Sequence, residues 1–348
     1  MKGNLAAPIL AAALLLSGCS RQETPHKLQR YQASFLNLFD TVTTMVGYAP
    51  SNDSFTNTVQ TLHDQLLEYH QLFDIYNDYP GLNNLKTIND WAGRAPVKVD
   101  GRIIDLLQFC REVYERTGGT VNVGMGGVLS LWHRARTEGL RNPEQAALPD
   151  MAALRQAALH TNLDSLIIDE ESSTVFIQDP LMQLDVGAIA KGYAVEQVCR
   201  SAPEGLLISV GGNVCATGPK PEGTPWTVGI QDPDGGEGAY LHTLSVSSGC
   251  VVTSGDYQRT YWVDGTPYHH IIHPESLMPG RLWRCVTVLC PQSGMGDALS
   301  TALFLLPQAE GQALLDLFGA EAMWVDQNGN EWFSPGFSKH IKLQEVSA

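Results

Sequence analysis

Apolar and polar positions alternate or cycle along most of this chain, and their spacing predicts its elements. Residues 35–48 alternate over enough length to predict one long strand. Phe55, Val59, Leu62, Leu66 and Phe73 fall on one stripe of a helix, whose other face carries His63 and His70 and is read as solvated. Asp100 is a good N-cap for a second helix running through Ile104, Leu107 and Tyr114 to Gly118 and Gly119, a pair that suits a helix end. Residues 143–160 predict a third helix, and 166–169 with 174–177 a hairpin. Residues 206–213 predict a buried strand ending in a glycine turn. Further strands are predicted at 226–231, 240–246, 251–254 and 322–326, and a helix at 308–318. Strands come in runs and helices in clusters, so the fold class is α+β with an antiparallel-rich sheet.

Two junctions between elements carry candidate chemistry. In residues 184–198, LDVGAIAKGYAVEQV, apolar residues predict a strand end and 193–198 a helix. Gly187 and Gly192 let another group approach the backbone closely. A helix N-terminus offers free N–H groups to a phosphate, and Lys191 adds a full positive charge. Asp185 suits a sugar hydroxyl, a ring nitrogen or a metal-bound water. The same residues also fit a plain strand–turn–helix junction with a surface lysine. In residues 286–306, a strand runs to Pro291, a glycine-rich loop follows, and a helix is predicted to start near Asp297. Asp297 and Thr301 are four apart and share a helix face. A carboxylate and a hydroxyl there are hard oxygen ligands suited to Mg²⁺. The alternative makes Asp297 an acid at its own helix N-terminus, with Thr301 in the core.

Residues 268–274, YHHIIHP, hold three histidines. Taken as a strand, they place His269 and His273 on one face and His270 on the other. That geometry weakens a three-imidazole metal site, and no cysteine or acid joins them.

Composition narrows the partners. Lys and Arg total 22 against 37 Asp and Glu, a net charge of −15, which argues against nucleic acid and anionic membrane surfaces. The 43% hydrophobic content supports a substantial core, and the length alone allows two domains. Lys2 begins a short positive region, and residues 5–16 are an apolar run shorter than the roughly 20 residues of a spanning helix. Small residues then precede Cys19. These features predict a signal peptide over 1–18 and a lipid anchor on Cys19, with an uncleaved anchor as the alternative. Either way the expected location is exported and membrane-anchored, facing periplasm or cell exterior. A polar tether is predicted over 19–33 and one domain over 34–345. Cys110, Cys199, Cys215, Cys250, Cys285 and Cys290 match no zinc spacing. They read as buried thiols, with a disulfide possible but its pairing open.

The motifs LDVGAIAKGYAVE (184–196), TSGDY (253–257), HHIIHP (269–274) and GDALSTALF (296–304), in this order, resemble the ApbE family of FAD:protein FMN transferases. The resemblance spans nearly the whole chain after the tether. It implies a two-lobed, T-fold-like α+β domain. It also implies Mg²⁺-dependent transfer of the FMN part of FAD to a Thr or Ser hydroxyl of an acceptor, a subunit of a membrane redox complex, with release of AMP. FAD is then a substrate. The implied metal ligands are the main-chain carbonyl of Ala188, Asp297 and Thr301. The implied flavin-site residues are Phe39, Tyr76, Thr120, Val121, Asn122, Asp185, Lys191 and Ile272, and His270 is the implied catalytic residue. The chain departs from the family pattern in several places. Phe39 replaces a methionine, Asn122 an aspartate, His273 an aspartate, Leu277 a glycine and Ser300 a second aspartate. Two alternatives stand beside this: hydrolysis of FAD to FMN and AMP by the same residues, and flavin binding without catalysis, which needs no Asp297.

Overall fold

The structure, a computed structural model, describes residues 27–236 and 238–342. The expected signal peptide and Cys19 lie outside them. The chain opens with β1 (Gln29–Leu38), β2 (Thr41–Ala49), α1 (Asn52–Phe73), α2 (Leu85–Asp90), β3 (Val97–Lys98) and α3 (Gly101–Arg116). It continues with α4 (Gly126–Arg141), α5 (Met151–Ala158), β4 (Leu166–Asp169), β5 (Thr174–Ile177), α6 (Ala190–Ser201), β6 (Leu206–Val210) and β7 (Asn213–Ala216). Then come β8 (Trp226–Gln231), β9 (Tyr240–Val246), β10 (Gly249–Gly255), β11 (Tyr261–Val263), β12 (Thr266–Tyr268) and β13 (Trp283–Cys290). The last elements are α7 (Ser293–Leu305), α8 (Gln308–Phe318), β14 (Glu321–Asp326) and β15 (Glu331–Phe333).

Eight strands form one sheet in the order β1-β2-β6-β7-β10-β13-β14-β15. Every neighbouring pair in it is antiparallel. Alternate residues of these strands feed two cores, as strand geometry requires. Leu206, Ile208, Val210, Val252, Val286 and Val288 face the larger core, which they share with α1, α3, α6 and α7. Val46, Val251, Cys285 and Val325 face a second core under the β8–β9 hairpin. A third, smaller core joins α4 and α5 to the β11–β12 region through Met125, Val128, Trp132, Leu154 and Tyr261. No described helix is long and apolar enough to cross a membrane.

The predicted single strand over 35–48 is instead a hairpin, and β1 reaches back to Gln29, into the predicted tether. Its two-residue turn is Phe39-Asp40, with φ of 51° and 52°. Nothing in that sequence announces a turn, because such loops favour Asn-Gly or Asp-Gly. Asp40 is exposed and strained, so Asp40→Gly is expected to raise stability by about 0.5–1 kcal/mol, or about 1–3 °C in melting temperature. An unchanged or lower melting point would show that the turn stores no strain.

Other elements also differ from prediction. Residues 143–160 contain a short 3₁₀ turn and then only α5. Helix α4 was not foreseen, because it opens on two glycines, poor helix formers. Gly126 is needed there, since a Cβ would lie 2.5 Å from the Gln183 carbonyl oxygen. No named strand leads directly into residue 184; Gln183 makes only an isolated bridge to Met125. The solvated face expected for α1 is also corrected. The His70 Nδ1 accepts the Phe39 N–H at 3.2 Å, and the His63 ring packs 4.5 Å from Phe35.

Candidate active site

One cavity of about 550 Å³ opens between the large core and the smaller α4–α5 core. Every site residue named from the sequence lines it: His270, Phe39, Tyr76, Thr120, Val121, Asn122, Asp185, Lys191 and Ile272, together with Ala188, Asp297 and Thr301.

Its floor is the contact between α6 and α7. Helix α7 starts at Ser293, so the expected glycine loop is its first turn and Asp297 lies in the second. Asp297 therefore does not serve its own helix N-terminus. It serves that of α6: its Oδ2 accepts the Gly192 N–H at 2.9 Å and lies 3.4 Å from Lys191 Nζ. The N–H group offered above to a phosphate is thus taken by a carboxylate. Gly192 makes the approach possible, since a Cβ would lie 2.3 Å from the Ser293 carbonyl oxygen and 2.5 Å from Asp297 Cβ. Gly192→Ala must push the helices apart, at an expected cost of about 1–3 kcal/mol. A thermal melt checks this, and an unchanged melting temperature would contradict the close contact.

Asn213, at the start of β7, completes this floor. Its Nδ2 donates to Asp297 Oδ1 at 3.4 Å. Its Oδ1 is buried and has no hydrogen-bond partner. A buried polar atom without a partner costs about 1–3 kcal/mol, and a bound ion resolves it. An orphan amide oxygen beside a buried carboxylate, with the Thr301 hydroxyl and Ala188 on the same cavity wall, fits a hard cation. The sequence predicts residues 206–213 only as a buried strand ending in a glycine turn.

The departures at Asn122 and Ser300 have local explanations. Asn122 accepts the Gly124 N–H at 2.8 Å and donates to the Thr161 carbonyl at 3.0 Å, which an aspartate cannot do. Ser300 is fully buried and bonds the Oγ of Ser254, a cavity-lining residue, at 2.8 Å. Leu277 takes the position of a glycine with φ of 60° and is buried in the small core.

Residues 269–273 are a loop, not the strand assumed above, and the three histidines separate. His269 is buried and bonds the Gly280 carbonyl through Nε2 at 2.8 Å. His273 Nδ1 accepts the Glu275 N–H at 3.2 Å. His270 lines the cavity and is the exposed one of the three. Enclosure by protein, and then the positive charge of Arg259, hold its pKa well below the usual imidazole value. A lowered pKa favours the neutral ring, which can accept a proton. Burial raises the Asp185 pKa, against the opposing effect of the Gly187 N–H that it accepts at 2.8 Å.

Two cavity residues were missed by the sequence. Arg136 stands on α4 and Arg259 follows β10 at φ of 47°. Burial and the charge of Arg259 lower the Arg136 pKa. Among the described residues neither guanidinium has a carboxylate partner within salt-bridge distance. Two cations left unpaired in one cavity of a chain with net charge −15 are a signal for an anion. Tyr76 is 55% exposed, and its ring stands 5.4 Å from that of His133.

The profile of the ApbE family matches residues 39–324. The chain belongs to the ApbE family. A relative named FAD:protein FMN transferase, from Klebsiella pneumoniae (strain 342), is 34% identical over 278 residues, covering 76% of this chain and 84% of its own. One of the same name from Treponema pallidum (strain Nichols) is 34% identical over 281 residues, covering 75% and 76%. The crystal structure of the ApbE protein from Thermotoga maritima MSB8 superposes with a TM-score of 0.80 at 26% identity, covering 90% of this chain and all of that one. The antiparallel sheet with helices packed on it is thus the ApbE fold, as the motifs predict.

Proposed function

We propose that this ApbE protein transfers the FMN part of FAD to a Ser or Thr hydroxyl of an acceptor protein and releases AMP. One observation carries the reading: oxygen donors around Asp297 share a cavity with Lys191, Arg136 and Arg259, which suits a pyrophosphate. The names of its relatives agree. In the reaction an O–P bond forms from the acceptor hydroxyl to the FMN-side phosphorus, and the bridging P–O bond to AMP breaks. The hydroxyl proton passes to an imidazole nitrogen of His270, which its neutrality permits. Lys191, Arg136 and Arg259 hold and orient the phosphates. Phe39, Tyr76 and Ile272, with the loop at Thr120, Val121 and Asn122, form the wall for the isoalloxazine, and Asp185 reaches its polar edge. Mg²⁺, held by Asp297, Thr301 and the Ala188 carbonyl, would neutralise charge on the pyrophosphate oxygens.

The N-terminal segment supports an exported enzyme tethered through lipidated Cys19, acting on subunits of membrane redox complexes in the same compartment. The test of the pyrophosphate reading is a binding titration. FAD is expected to bind more tightly than riboflavin, with the difference shrinking in Arg136→Gln and Arg259→Gln. Equal affinity for FAD and riboflavin would overturn it.

A further inference from the structure

Behind the cavity floor, on the large-core face of the main sheet, four cysteines meet. Cys215 on β7 is the direct partner of Cys250 on β10, which is in turn the direct partner of Cys290 on β13. The three form one row across neighbouring strands. Cys199, on the last turns of α6, packs against the same core. Cys250 Sγ lies 3.0 Å from Cys215 Sγ and donates to it. Residues directly opposite in an antiparallel pair have Cα atoms about 4.5–5.5 Å apart, inside the roughly 4.4–6.8 Å span of a disulfide. Among the described residues no group of three or more His, Cys, Asp or Glu side chains is placed to hold a metal ion.

We propose that Cys215 and Cys250 are an oxidisable dithiol that closes to a cross-strand disulfide, with Cys199 as the thiol through which oxidising equivalents enter. Cys215 and Cys250 are buried, and Cys199 is only partly so. The oxidant is a small or protein disulfide. The Cys199 thiolate attacks one of its sulfurs, giving a mixed disulfide and one thiol. Cys215 then attacks the Cys199 sulfur and expels the second thiol. Cys250 attacks Cys215, closing the final bond and returning Cys199 to a thiol. Two electrons and two protons pass to the oxidant, and two protein thiols become one disulfide. Cys215 suits the central role, because its sulfur already lies 3.0 Å from that of Cys250, ready for the final exchange. The bond would staple β7 to β10 just beside Asn213 and Thr253 on the cavity wall. It would hold the floor in place without touching substrate.

The test uses the full chain, treated with oxidised glutathione and then with an alkylating agent. Digestion at Glu222 and Asp232 separates the two cysteines into different peptides. Mass spectrometry without reduction is expected to find the Cys215 and Cys250 peptides linked and lighter by two hydrogens, and to find Cys110 and Cys285 alkylated once the chain is unfolded. The Cys199→Ser variant is expected to reach the same linkage at least tenfold more slowly. A melt is expected to rise by several degrees on oxidation, reversibly with a dithiol reductant. Full alkylation of Cys215 and Cys250 after oxidation, or a link to Cys199 or Cys290 as the end product, would overturn the pairing. An unchanged rate in Cys199→Ser would overturn the entry route.

Discussion

Asp297→Ala is expected to abolish Mg²⁺-dependent AMP release from FAD, a loss of roughly 10³-fold or more. A bound cation contributes several kcal/mol of charge stabilisation, and each 1.36 kcal/mol is tenfold in rate. Asp297 supplies the carboxylate at the floor; the neighbouring oxygens of Thr301, Ala188 and Asn213 carry no full charge. The structure adds a second expectation. Removing the carboxylate strands the buried Gly192 N–H, so the alanine variant also loses about 1–3 kcal/mol of stability. Asp297→Asn separates the two effects. It keeps an acceptor for Gly192 and loses the charge, so it is expected to melt near the wild type while Mn²⁺ binding and turnover both fall. Normal Mn²⁺ binding in Asp297→Asn would sink the metal assignment and leave Asp297 a helix clamp.

His270→Ala is expected to slow transfer by roughly 10²–10⁴-fold while leaving FAD affinity within a few-fold, as for a positioned proton acceptor. The pH dependence carries the sharper sign. Protonated imidazole cannot accept a proton, so loss lies on the acid side. In the free protein, enclosure and Arg259 depress the His270 pKa, so kcat/KM holds well below the ordinary value of about 6.5. Bound FAD brings negative phosphates that offset the positive charges, and the pKa rises. The acid limb of kcat is therefore expected at higher pH than that of kcat/KM. Coincident limbs near pH 6.5 in the wild type, or an acid limb unchanged in His270→Ala, would remove His270 from the proton transfer.

The parts of the site that were legible in the sequence are those with local causes. Asp297 and Thr301 share a helix face by spacing alone, and glycine at 192 announces a close approach. That approach proves to be α7 rather than a ligand. What stayed hidden depends on partners far along the chain. The α6 N-terminus is capped by a carboxylate 105 residues away. Arg136 sits on a helix masked by its opening glycines, and Arg259 faces it across the cavity. The turn at Phe39 and Asp40 breaks local turn chemistry and was taken for strand. Its strain lies at the cavity wall, where left-handed non-glycine residues tend to collect. The sheet order, which carries β2 next to β6 and β10 next to β13, follows no local pattern. It was not predicted; only the two-lobed architecture came from the family resemblance, rather than from periodicity.

The most direct measurement gives the full chain FAD and Mg²⁺ with an acceptor protein, and the same acceptor with its target Ser or Thr changed to Ala. AMP release and covalent flavin are counted together. Flavin transfer predicts one AMP for each FMN attached, and neither product with the alanine acceptor. AMP released at the same rate with both acceptors, with free FMN as co-product, would contradict it.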